Sequence, residues 1–514
     1  MHRLVMKYLE NKKIDFYAIF LLSVLISSRI YFFSNGLSME KNPGIPHTID
    51  YHLLKTKLLE SVFYDPYQPP LMNFILGVFL KISPVNYPIF FTITHLIMSA
   101  TIIILLYYSL KFLKINYWII SSLIGILILN PAFIFYENMI FYHHYVVFLF
   151  SVAFFFVIRF TKSKSNTDLF IFYLSISFIT FFRTSYHYIW FVAIFLTMLF
   201  LFKNYTKQIK IAVFPFIIVM SLYVKNFMLY GIFGSSNMMG TNLFTLTTYI
   251  PNTDVLKARV ENKISDFYQL VTWDNSIESY YDALHTKEIP QEYKNIGVLT
   301  LTPNNAHHFY YNEIRERLRV DATKLLIAYP ETFFKIFLWG NYIFFQPSGE
   351  FPQNNGNLNA IRSWNNAFNL IFAGHLSSPK DGENFQFQTP ASPTRNYTLN
   401  EIISSMKYEK LSLITLLLYF IVLFHFIYTI LKAIKNKSLT PQLKIQVLIF
   451  VVLSYLYVIY IFLGTPENNR LRYEGITLTI ILLAITIDSI LKKARSLQFF
   501  NGEDQGKLNL KTIL

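Results

Sequence analysis

The chain has no cysteine among its 514 residues, which excludes disulfides, thiolate nucleophiles and cysteine-ligated metal sites while leaving the compartment open. Charge is scarce too. Only 15% of residues are Asp, Glu, Lys or Arg, against 53% hydrophobic and 18% aromatic, a balance far outside that of soluble domains. Acids are the scarcer sign, 30 against 45 Lys and Arg, so the formal net charge is +15. This excess does not read as a nucleic-acid surface, because the basic residues punctuate apolar runs and form no patch interleaved with aromatics. Also missing are any HExxH, Walker A, GxGxxG or GxSxG pattern, any low-complexity linker, and any repeat of the kind that builds inverted-repeat transporters.

What is present is a series of apolar runs of about 15 to 23 residues, long enough at 1.5 Å per residue to cross roughly 30 Å of hydrocarbon if some helices are locally short. The expected fold is an all-α polytopic membrane protein of about ten transmembrane helices. Arg3, Lys7, Lys12 and Lys13 precede the run from Phe16 to Phe33, which puts residues 1–15 in the cytoplasm. That run is too long for a signal-peptide core and lacks a small-residue cleavage site, so it reads as a retained span. Six more spans follow, from Tyr87 to Phe112, Trp118 to Phe135, Met139 to Phe160, Leu169 to Phe182, Tyr188 to Phe202 and Ile211 to Leu229. Inward ends are marked by Lys111 and Lys114, by Arg159, Lys162 and Lys164, and by Lys203, Lys207 and Lys210.

Residues 16–230 thus form a seven-span module, with a first outer loop, 34–86, in which Leu71 to Ile82 is too short to span and lies along the membrane surface. Residues 231–410 are mixed and polar and read as one extracytoplasmic domain. Within it, the segment near 325–345 carries Pro330, Glu331 and Lys335 and reads as a membrane-surface or re-entrant helix. Three C-terminal spans fill 411–491, and 492–514 is a basic cytoplasmic tail.

Ionisable residues at membrane depth are costly, and in this topology those present share one side. Arg29, His95, Glu137, Arg183 and Lys225 lie at outer ends of spans, and Glu467, Arg470, Arg472 and Glu474 lie in the last outer loop. The span middles are nearly free of charge, unlike a carrier with a midplane site. Snorkelling to the headgroups is the bland alternative for any one of them.

The first loop adds Asp50-Tyr51-His52 and Tyr64-Asp65-Pro66-Tyr67-Gln68-Pro69-Pro70-Leu71. A carboxylate there could serve as general base toward an acceptor hydroxyl, with Arg or Lys neutralising a lipid phosphate at headgroup level. Structural readings stand beside these. Asp50 has the form of an N-cap for a helix starting at Tyr51, Asp65-Pro66 with Pro69-Pro70 that of a rigid turn, and His52 reads as structural ahead of catalytic. His143 and His144 point about 100° apart on a helix, so they make a poor chelate and read as interfacial packing.

The order of these features resembles the glycosyltransferases of the C superfamily, polytopic enzymes that include protein O-mannosyltransferases and lipid A aminoarabinose transferases. The resemblance covers the first seven spans well and the C-terminal part loosely. It is carried by Asp50 after span one, by Tyr67-Gln68-Pro69-Pro70-Leu71 and by Asn130-Pro131 with Tyr136-Glu137-Asn138. Lys225-Asn226 with Tyr230-Gly231 and Gly234-Ser235-Ser236, and Glu467-Asn468-Asn469-Arg470-Leu471-Arg472, complete it. Two positions depart from the family pattern: Tyr51 follows Asp50 where paired acids are common, and Gln68 stands where His or Lys is common.

By this resemblance Asp50 is the catalytic base, and Arg470 or Arg472 with Lys225 holds the donor phosphate. His52, Tyr67, Glu137 and Arg183 complete the expected substrate-binding set. The implied donor is a polyprenyl-phosphate sugar and the acceptor a lipid, glycan or protein outside the cytoplasm, among membrane lipids and without nucleic acid. No cofactor is implied, although a divalent cation is compatible with the phosphate chemistry. The expected location is a bacterial inner membrane, or the ER membrane in a eukaryote. Two alternatives stay open: a ligase or polymerase of lipid-linked glycans, with its essential residues in the late large loop, and a non-catalytic lipid-linked-sugar transporter.

Overall fold

The computed structural model describes residues 15–40, 48–261, 263–265, 268, 284–286, 288–300, 306–347, 355–372, 399–406, 412–463 and 468–511. Among them every regular element is helical, and the one β-bridge pairs Glu40 with Met139. The principal helices are α1 (Phe16–Ser34), α2 (Tyr51–Thr56), α3 (Leu58–Tyr64), α4 (Pro70–Ile82), α5 (Tyr87–Phe112), α6 (Tyr117–Leu129), α7 (Pro131–Glu137), α8 (His143–Ser163), α9 (Asn166–Thr180), α10 (Tyr188–Phe202) and α11 (Tyr205–Tyr230). The rest are α12 (Met239–Thr247), α13 (Tyr311–Ala328), α14 (Thr332–Phe344), α15 (Arg362–Phe372), α16 (Leu413–Lys435), α17 (Pro441–Leu463), α18 (Asn468–Arg472) and α19 (Ile476–Lys511).

Seven of these, α1, α5, α8, α11, α16, α17 and the apolar stretch that begins at Arg470 and runs into α19, are long and apolar enough to cross a membrane. The pair α6 and α7 makes an eighth if counted as one span, bent by 56°. The bend has a local cause. Pro131 cannot continue the ladder of α6, so Asn130 turns extended and its side chain caps the restarted helix at Ala132 N, 2.8 Å away. Helices α9 and α10 are apolar but only 15 residues each, about 22 Å by helix rise. The chain is therefore a polytopic helical membrane protein. Within the segment near 325–345 the chain breaks at Tyr329-Pro330, which ends α13 and starts α14.

The two ends of the bundle differ chemically. At one end, here the lysine side, Lys111 pairs with Asp15, Arg159 with Asp168 (Nε to Oδ1 2.8 Å), and Lys492 with Asp488 at 2.5 Å. Four helices stop at this end on lysines in the left-handed region: Lys114, Lys164, Lys203 and Lys437, with φ between 50° and 59°. The opposite end, the loop side, carries α2 to α4 and α12 to α15. There Gly240 of α12 lies so close to the backbone carbonyl of Arg315 in α13 that a Cβ would overlap it. A separate apolar cluster including Phe244, Ile250, Ile314, Leu318 and Leu325 holds these two helices together.

Candidate functional site

The first loop starts its helix with the capping geometry its sequence dictates. Asp50 Oδ1 accepts from His52 N at 2.9 Å and Leu53 N at 3.2 Å, two of the donors that an α-helix start leaves unpaired. Asp50 and His52 are both exposed, and the His52 carbonyl accepts from Thr56 Oγ1 at 2.7 Å.

The buried acid of this loop is Asp65. It closes an Asx turn on Tyr67 N at 2.8 Å, the rigid turn its Pro-rich surroundings require, and also faces His307 Nδ1 at 2.9 Å. Both side chains are 2% exposed. Lys225 Nζ donates to the Asp65 carbonyl at 3.1 Å. Tyr67 packs edge-on against the His307 ring, with the Arg315 guanidinium 4.2 Å above its own ring. Arg315 is aimed by Asn237 Oδ1 at 2.8 Å and the Ala306 carbonyl at 2.7 Å. Burial pushes the Tyr67 hydroxyl up to about 12 against the opposing pull of Arg315, so it remains a donor throughout the neutral range.

A second buried cluster adjoins this one. The two are tied through the backbone, where Leu71 N donates to the Phe181 carbonyl at 3.0 Å just ahead of Arg183. Glu474 is fully buried and takes four partners: Arg183, His143 Nδ1 at 2.6 Å, and the hydroxyls of Tyr186 and Tyr460, each at 2.5 Å. Arg183 also lies over the Tyr142 ring at 5.2 Å. Arg470 lies 5.2 Å over Phe141 and shares a hydrogen bond with the Tyr142 side chain. Tyr142 is in turn within electrostatic reach of Tyr67. Two guanidinium groups thus meet at Tyr142, one of them paired with Glu474, an arrangement able to hold an anion.

Glu137 forms a third buried group. Arg29 grips it with Nε to Oε1 at 2.6 Å and Nη2 to Oε2 at 3.2 Å, and Ser99 donates to it. Because the Ser99 hydrogen is used there, His144 donates from Nε2 to Ser99 Oγ at 3.0 Å and accepts at Nδ1 from Tyr473, 3.2 Å away. His143 and His144 are not interfacial as their sequence position indicated. Both are at most 1% exposed, and their divergent rings serve different carboxylates.

Arg472 faces elsewhere. It donates to the carbonyls of Phe344 at 2.5 Å and Gln346 at 2.9 Å, and it lines an apolar cavity of about 880 Å³ between α6, α14, α15, α16, α17 and α19. Of the eight expected site residues, the structure groups Tyr67 with Lys225, and Arg183 with Arg470, and leaves Glu137 paired with Arg29. It sets Arg472 at the cavity and leaves Asp50 and His52 exposed at the start of α2. Glu467 lies outside the described residues.

Three contributors carry no signal in the sequence. His307 and Arg315 reach the first loop from positions more than 200 residues away, and only proximity in the fold reveals them. Glu40 is the third. Its backbone N donates to the Asn138 carbonyl at 2.9 Å, its Oε2 is buried with no hydrogen-bond partner, and burial pushes its carboxyl up to about 7. Among the described residues no three His, Asp or Glu side chains are placed to hold a metal ion. No family model, curated protein or solved structure matches the chain.

Proposed function

We propose that this chain is an integral membrane glycosyltransferase of C-superfamily type, with ten spans, cytoplasmic termini and its site on the loop side, facing outward. It moves a sugar from a polyprenyl-phosphate carrier to an extracytoplasmic acceptor. The observation that carries this reading is the burial of the first-loop acid Asp65 beside Tyr67, within electrostatic reach of Tyr142, at which the guanidinium groups of Arg183 and Arg470 meet.

In the proposed step Asp65 removes the acceptor hydroxyl's proton as that oxygen bonds to the anomeric carbon. The bond from that carbon to the phosphate oxygen breaks, and the departing lipid phosphate keeps the electron pair. Arg470 takes up its charge, a role that needs donors positioned before the reaction. His307 holds Asp65 through Oδ1, so Oδ2 is left to receive the proton. Asp50, whose Oδ1 is engaged by two backbone amides, is the competing base.

The test uses purified protein in proteoliposomes with a lipid-linked sugar. Asp65→Asn is expected to lower turnover by about 10²-fold or more, the usual worth of a general base, while Asp50→Asn retains most activity. Wild-type turnover by Asp65→Asn would remove Asp65 as base, and loss in Asp50→Asn alone would return that role to Asp50.

A further inference from the structure

On the lysine side of the bundle, cations from three segments converge on one pair of aromatic rings. Phe160 near the end of α8 and Phe202, the last residue of α10, pack edge to face with centroids 5.4 Å apart. Over this pair lie the ammonium groups of Lys164, 5.5 Å from each ring, Lys207, 6.0 Å from Phe160, and Lys444, 5.0 Å from Phe202. They come from the turn after α8, the start of α11 and the start of α17. Lys207 Nζ donates to the Lys164 carbonyl at 2.8 Å, a neutral partner. Among the described residues none of these lysines pairs with a carboxylate, and Asp168 of α9 is taken by Arg159 and Ser163.

This convergence is unfavourable until an anion joins it. Like charges repel, and α11 and α17 both begin at these lysines with no acid in the first turn, although the positive end of a helix dipole disfavours a cation there. Burial, with the ammonium groups of Lys444 and Lys207 close by, holds the Lys164 amine below the usual lysine range. The position of the cluster says which anion. Helices α9 and α10 span about 22 Å each against roughly 30 Å of hydrocarbon. Their lysine-side ends lie at the cluster, at Asn166 and at Phe202 itself. A span that falls short draws headgroups inward. Phe200, Tyr205 and Ile209 are exposed at the same end, which suits contact with acyl chains.

We infer that Lys164, Lys207 and Lys444 bind the phosphate of one anionic glycerophospholipid of the lysine-side leaflet, with its acyl chains against the exposed apolar side chains of α10 and α11. The bound phosphate neutralises the cluster and ties the start of α17 to α8 and α11. This site lies at the opposite end of the bundle from Tyr142, and the inference depends only on the chain's being a membrane protein.

The experiment is native mass spectrometry and thermal unfolding of the full chain after delipidation, with phosphatidylglycerol, phosphatidylcholine or inorganic phosphate added back. One phosphatidylglycerol per chain is expected to survive mild delipidation and to raise the melting temperature, with no matching effect of the other two. Lys444→Met keeps the contact with Phe202, and Lys164→Asn suits the left-handed backbone there. Each is expected to weaken retention about fivefold, the worth of one lysine at an anionic surface. Lys162→Met, at a lysine on the same side that donates to the Phe112 carbonyl at 2.6 Å, is expected to leave retention unchanged. Equal retention of phosphatidylcholine, or retention undiminished in Lys444→Met and Lys164→Asn, would overturn the inference. So would an equal loss in Lys162→Met, which would reduce the effect to general surface charge, or an equal rise in melting temperature with inorganic phosphate, which would assign the cluster to a soluble anion. None of these readouts requires sugar transfer, so the inference and the transferase reading can fail independently.

Discussion

Glu137 and Arg29 illustrate what a buried charge demands. Each is almost wholly enclosed, and each is neutralised by the other with further donors from Ser99 and acceptors such as the Ile128 carbonyl. Breaking such a pair costs more than replacing it. Glu137→Ala is expected to destabilise by about 3–5 kcal/mol in thermal unfolding, and Arg29→Met with Glu137→Leu to recover most of that loss. A double variant as unstable as the single one would show that the pair is not what couples α1 to α7. Glu40 carries a different signature. Its folded carboxyl is raised from the ordinary value near 4.5 to about 7, so the stability it contributes is fully present below about 4.5 and is lost as the pH rises through about 7. Wild-type melting temperature should therefore fall between pH 5 and pH 8 by more than that of Glu40→Gln, and parallel curves would contradict the assignment. Asp50 separates capping from catalysis. Asn keeps the cap while Ala loses about 1 kcal/mol of it, so the stability difference between Asp50→Asn and Asp50→Ala reads the cap alone. The cap was legible in the sequence, because Asp before an apolar helix start has a local cause. The burial of Asp65 was not, because His307 lies 242 positions away.

At the scale of elements, the four left-handed lysines explain why the charge pattern was so readable. Lys114, Lys164, Lys203 and Lys437 each end a helix at the same side of the bundle, where glycine is the usual choice. A cation at a helix C-terminus is favoured by the helix dipole, and a lysine there also serves the charge asymmetry that orients spans. Both effects act along the chain, so hydropathy and basic ends suffice to find them. Lys203→Gly is expected to gain about 1 kcal/mol by relieving the αL strain, read as a higher melting temperature; a fall would mean that the charge outweighs the strain. The bend at Asn130-Pro131 was carried by the sequence but submerged in one continuous apolar run from Trp118 to Phe135. The contact between α12 and α13 had no such trace, because Gly240 and the Arg315 carbonyl meet only in the fold. Gly240→Ala is expected to separate these helices, shifting Arg315 off Tyr67 and lowering both stability and activity, whereas wild-type unfolding would contradict that close approach.

The whole molecule is asymmetric across the membrane. Ion pairs on the lysine side are peripheral to the spans, whereas on the loop side arginines and carboxylates are buried among aromatic rings. The sequence made the clustering of charge on one side visible, since each residue's depth follows from its place in a span. Which charges are mutually spent could not be read, because Arg183 and Glu474, or Arg29 and Glu137, pair across 291 and 108 positions. Arg470, set against Phe141 and Tyr142, is the cation proposed for the lipid phosphate. The most direct measurement is product formation by the purified, reconstituted chain supplied with a radiolabelled polyprenyl-phosphate sugar and an acceptor on the loop side. The expected result is a new glycosidic bond that requires Arg470 and is lost in Arg470→Met. Labelled lipid crossing the bilayer with no bond made or broken would contradict it and identify a transporter.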